Sequence, residues 1–168
     1  MDIREALLTE HSKRQTIKIV EFIGNDAKKF KVLMGIFLGE NYRLTQRAAW
    51  SVNYCAENNP KLVKPFLEIL LNQLERTDVH NAVKRNIVRL LQYVEIPEKL
   101  LGKTYSICVD LIDNPNEPVA VRAFALTIAT NIAKSEPDLI KELQLVVNKH
   151  LPHTSAAFEK RAREVLSY

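Results

Sequence analysis

Four arginines set at a nearly constant interval are the first residues whose type and spacing suggest chemistry. Arg47, Arg85, Arg122 and Arg161 follow one another at 38, 37 and 39 residues. A guanidinium carries a planar fork of donors, so a row of them suits phosphates or carboxylates. Arg43, Lys84 and Arg89 stand beside the row in sequence, and Trp50, the only tryptophan, follows Arg47 by one helical turn. The row has a second reading, in which each arginine bonds a carboxylate or a helix-end carbonyl of its own fold and so fixes how neighbouring elements stack. We read it first as structural. Under the partner-binding reading the candidate residues are Arg43, Arg47, Trp50, Lys84, Arg85, Arg89, Arg122 and Arg161.

Other constellations point to no reaction. His150 and His153 have metal-ligand spacing, but Pro152 between them breaks a shared helical face and no cysteine, aspartate or third histidine stands near. Asp110 and Asp113 fall one helical turn apart, at a helix end where solvent gives neither a reason for a raised pKa. No glycine-rich phosphate loop and no nucleophile elbow is present. Cys55 and Cys108 sit singly within apolar helical patterns and read as buried, reduced thiols. The expectation is therefore no catalytic, cofactor-binding or metal-ligating residue and no enzyme.

The elements that carry these residues are helices. Only four glycines and seven prolines interrupt 168 residues. Apolar residues return every three or four positions through Leu62, Phe66, Leu70 and Leu74, which predicts one helix there, and again through Val79, Val83, Ile87, Leu90 and Val94. Thr77 or Asp78 is the predicted N-cap of the second run. Pro60, Pro97 and Pro137 each open a helix and keep step with the arginines, so two rulers give one period of about 38 residues. The predicted units are a partial one from about 2 to 24, then hairpins 26–58, 60–94, 97–134 and 136–167, all within a single domain spanning 1–168. From Val119 to Ala133 hardly a polar face remains, as expected of a helix enclosed by neighbours. Trp50 is expected to be largely buried, because Ala48, Ala49 and Val52 leave room for a large ring.

From Leu111 to Leu126 the chain resembles a HEAT repeat: an apolar helix ends in Asp113-Asn114-Pro115, and Val121-Arg122-Ala123 opens the next. Lys84-Arg85 and Gln46-Arg47-Ala48-Ala49 occupy the equivalent place in earlier units. The resemblance implies an all-α, right-handed α-α superhelix of HEAT-like or armadillo-like type with about four to five hairpins, its second helices lining a concave surface. A narrower stretch, Arg47 to Pro60, resembles a helix of the HEAT-like alkylpurine DNA glycosylases. That family holds damaged nucleotides with a Trp and an Asp one turn apart. Tyr54 stands where the carboxylate is needed, so no catalytic residue carries over.

Charge is mildly basic, 24 lysines and arginines against 20 acidic residues, and the surplus lies between residues 41 and 95. No block of like charges resembles a nucleic-acid arm or a membrane tail. Charges in Met1–Glu5 do not suit a secretory leader, and no run approaches the roughly 18 apolar residues of a membrane span. The resulting expectation is a cytoplasmic, non-enzymatic scaffold that binds a protein, with no cofactor. The alternative is a nucleic-acid-binding solenoid related to the alkylation-repair proteins.

Overall fold

A computed structural model describes residues 1–168, the side chain of His153 excepted. Among the described residues there are ten α-helices and no strand, and 78% of the chain is helical. The helices are α1 (Ile3–Thr9), α2 (Lys13–Ile23), α3 (Ala27–Phe37), α4 (Tyr42–Asn58), α5 (Leu67–Glu75), α6 (Asn81–Leu91), α7 (Glu98–Asp113), α8 (Val119–Ala133), α9 (Pro137–His150) and α10 (Ala156–Leu166).

Local chemistry sets the helix starts. The side chains of Asp2, Ser12, Asp26, Asn41 and Ser155 each accept a first-turn amide, as N-caps do. Pro97 and Pro118 stand at the N-caps of α7 and α8, and Pro137 opens α9, where its missing amide is no loss. Helix α2 stops at Gly24, whose φ of 49° turns the chain in a way a side chain disfavours.

Two local expectations are overturned. The N-cap of α6 is His80, whose Nδ1 accepts from the Ala82 amide at 3.1 Å. Asp78 is instead taken by Arg76, whose Nε and Nη2 donate to it at 2.9 and 2.6 Å. The single helix predicted from Leu62 to Leu74 is two 3-10 turns, Pro60–Leu62 and Lys64–Phe66, followed by α5. Pro65 has no amide to extend an α-helical ladder and its ring clashes with the preceding turn, so the α-helix begins only after it.

The chain divides into two compact units: Met1–Phe66 with Tyr93–Glu95, and Leu67–Gln92 with Ile96–Tyr168. In the first, α3 and α4 pack as an antiparallel pair with α1 and α2 against them. Phe30, Leu33, Met34 and Phe37 of α3 meet Leu44, Ala48, Val52 and Cys55 of α4 in its core. In the second, α7 packs on α5 and α9, while α8 packs on α6 and α10 and also on α7 and α9. That is a two-layer stack of helical hairpins. Helix α8 is enclosed, with Val121, Ala123, Ala125, Leu126, Ile128 and Ala129 all buried.

Candidate partner-binding surfaces

Helix α4 carries the first surface. Arg43, Arg47, Trp50 and Tyr54 follow at steps of four, three and four, which places them on one face. Arg47 Nη1 donates to the carbonyls of Leu7 and Leu8 at 2.9 and 2.8 Å, closing the C-terminal end of α1. Arg43 is exposed and has no partner among the described residues. Trp50 is 42% exposed, contrary to the expectation of burial. Ala48, Ala49 and Val52 do fill the core, but position 50 lies on the other side of the helix, where the indole packs 5.2 Å from the His11 ring at an interplanar angle of 32°. His11 carried no signal in the sequence, since it lies between α1 and α2 and neighbours Trp50 through the packing of those helices on α4.

In the second unit the remaining cations meet different fates. Lys84 donates to Glu117 Oε1 at 2.7 Å, and both side chains are 10% exposed. Arg85, one residue on, is exposed and without a partner among the described residues; the guanidinium of the half-buried Arg89 likewise has none. Arg122 is 7% exposed. Its Nε donates to the Ile112 carbonyl at 2.9 Å, its guanidinium lies 5.0 Å from the Phe158 ring, and Nη2 is buried without a partner among the described residues. Burial pulls its pKa down while the nearby Asp113 carboxylate opposes that shift. Arg161 donates to Thr127 Oγ1 at 3.0 Å and to the Ala157 carbonyl at 3.1 Å, and lies 5.4 Å from the Phe124 ring. Arg47, Arg122 and Arg161 are thus engaged within the fold, whereas Arg85 is not.

A cavity of about 370 Å³ opens in the second unit beside the Lys84–Glu117 pair. Leu74, Ile107 and Leu111 supply its apolar wall, and Asp110 and Lys103 of α7 also line it. Lys103 bonds Glu75 at 3.0 Å and Asn72 at 2.7 Å. Glu117 belongs to the Asn114-Pro115-Asn116-Glu117-Pro118 turn, whose residue types announce the bend and not the ion pair.

Asp113, at the end of α7, accepts from Lys149 at 2.8 and 3.1 Å and lies 2.9 Å from His150 Nε2. Lys149, then His150, hold its carboxyl below the ordinary value. This gives His150 a structural partner; the other histidine of the HxxH spacing, His153, has its side chain outside the described residues. Among the described residues no three His, Cys, Asp or Glu side chains converge to hold a metal. Cys55 and Cys108 are free and buried, and burial pushes each thiol up to about 12.

The family model of the HEAT repeat domain matches residues 3–167. The chain belongs to the HEAT repeat family. No curated protein and no solved structure matches it. A HEAT repeat domain is a repeat scaffold-type module, and the helical hairpins of this one present helix faces. Among the described residues no helix is long and apolar enough to cross a membrane.

Proposed function

We propose that this HEAT repeat domain is a non-enzymatic module that binds a protein partner through the face lined by its second helices, with α4 as the principal contact. The observation that carries the reading is the α4 face. It presents a tryptophan that is 42% exposed yet held by His11, between Arg47, itself pinned to the end of α1, and the open Tyr54 side. Tryptophan and arginine are the residue types that dominate binding energy at protein interfaces, and a pre-positioned ring loses little entropy on contact. Arg43, Arg85 and Arg89 add donors free for an acidic partner; Lys84, Arg122 and Arg161 serve by holding the helices that present them. The family match running across both compact units supports treating 1–168 as one domain. The buried, unpaired thiols of Cys55 and Cys108 suit a reducing, cytoplasmic setting.

The test starts with a photo-crosslinking residue in place of Arg43, followed by titration of the captured partner with the unlabelled chain. Trp50→Ala is expected to weaken binding by about thirtyfold, as an interface hot spot of ~2 kcal/mol does. Helical content should stay unchanged. Submicromolar affinity for duplex DNA, with a log–log salt slope of about −0.9 per phosphate contact and loss on replacing Arg43, Arg85 and Arg89 by alanine, would overturn the protein-binding reading.

A further inference from the structure

We infer that the cavity of the second unit is a binding site for a lysine or arginine side chain carried by a partner polypeptide. Its volume of about 370 Å³ lies at the small end of ligand pockets, which run from roughly 300 to 1,000 Å³. The wall has two kinds of surface. Leu74, Ile107 and Leu111 offer an apolar strip against which an alkyl stem can lie. Around it stand charged groups whose pairing decides what head group fits.

Every cation on the wall already has a carboxylate. Lys84 holds Glu117 at 2.7 Å, Lys103 holds Glu75 at 3.0 Å and Arg76 holds Asp78 at 2.6 Å. What is left over is acceptor capacity. Asp110 lines the cavity and its carboxylate has no partner among the described residues. Glu117, nine-tenths buried at its side chain, uses Oε1 for Lys84 while the buried Oε2 has no donor among the described residues. A buried carboxylate oxygen without a donor is costly, and a guanidinium or ammonium brings three to five N–H groups. An anionic ligand would meet Asp110 and find no free cation. A metal ion is disfavoured as well, since no three suitable ligands converge among the described residues. An organic cation on an alkyl stem satisfies the apolar strip and the Asp110 carboxylate, and its positive charge complements the buried Glu117.

The inference rests on the protein-binding reading only for the source of that side chain, and the test needs no partner. The isotope-labelled full chain is titrated with Nα-acetyl-arginine methylamide, Nα-acetyl-lysine methylamide, the neutral Nα-acetyl-norleucine methylamide and the acidic Nα-acetyl-glutamate methylamide, following backbone amide resonances. The two basic probes are expected to shift the amides of residues 74–77 and 103–114 saturably. Asp110→Asn, at an exposed carboxylate with no structural partner, is expected to weaken them about tenfold, the worth of one charge-assisted bond. Leu145→Ala, at an exposed position of α9 outside the cavity wall, should leave them unchanged. Equal shifts with norleucine, saturable binding of the glutamate probe, or undiminished binding to Asp110→Asn would each overturn the inference while leaving the α4 surface untouched.

Discussion

Helices α6 and α8 carry cations at corresponding places in the repeat and put them to opposite uses. Arg85 and Arg122 lie 37 residues apart, yet Arg85 stands in solvent without a partner among the described residues while Arg122 is 7% exposed and bonded to the Ile112 carbonyl. Lys84 stands 38 residues before Arg122, and it is Lys84 that is buried and paired. A step of one residue turns a side chain by about 100° around a helix. A spacing of 37 instead of 38 therefore moves an arginine from the surface into the packing. In α6 the buried Lys84 ties helices together and its neighbour Arg85 is left exposed, whereas in α8 Arg122 takes the buried place with no cation beside it in sequence.

Substitutions that separate the two positions test this most directly. The largest effect is expected at Lys84→Ala, which strands a nine-tenths buried Glu117; breaking such a pair costs about 3 kcal/mol, the low end of the usual range because the adjoining cavity admits water. Lys84→Met with Glu117→Gln should recover most of the loss, read by urea denaturation. Arg122→Ala is expected to cost about 2 kcal/mol, through an orphaned Ile112 carbonyl and lost packing on Phe158. Arg85→Ala should stay within about 0.5 kcal/mol of the parent. Equal losses at Arg122 and Arg85 would break the comparison.

Smaller effects sharpen it. Trp50 emission in the folded chain should be partly quenched by iodide, since the ring is open to solvent on one side; full protection would put it back in the core. Cys55 and Cys108, with thiols pushed up to about 12, should react with a thiol reagent near neutral pH only once the chain is unfolded. Asp113 gives a pH effect of known sign. Its folded pKa lies below the unfolded value of 3.8, so its stabilising share is present above that pH and disappears as pH falls through the lower folded value. Asp113→Asn should lower stability modestly at neutral pH, where that share is present, and converge on the parent as pH falls below about 4, so that the acid limb of a stability-versus-pH curve flattens.

The all-helical class was legible because patterns such as Val119–Ala133 and the prolines at 97, 118 and 137 act within one helix. Features set by a single turn of rotation or by distant pairing were not. Trp50 was expected inside because its neighbours Ala48, Ala49 and Val52 are small or apolar, but those residues describe the face that Trp50 does not share. Pro65 sits within a run of leucines whose period predicts one helix, and the missing amide outweighs the period. Glu117 pairs across 33 residues with Lys84, and no local pattern announces a partner that far away. Of the α4 surface, Arg43, Arg47 and Trp50 were legible as candidates, while His11 owes its place to packing; in the second unit Asp110 was legible as a helix-end neighbour of Asp113 but not as a cavity carboxylate.

The enclosure of α8 has a consequence for how divisible the chain is. Repeat arrays are often shortened one hairpin at a time, each loss subtracting a similar increment. Here Phe158 of α10 covers the Arg122 guanidinium and Arg161 reaches back to Thr127, so both bonds leave with the last hairpin. A chain ending after Ala133 would turn the inner wall of its second unit into an outer one, with alanines and isoleucines facing water. Cooperativity should therefore run in blocks larger than a single repeat. The slowest-exchanging amides of the second unit should lie in α8, and they should lose protection together with α10 in one step.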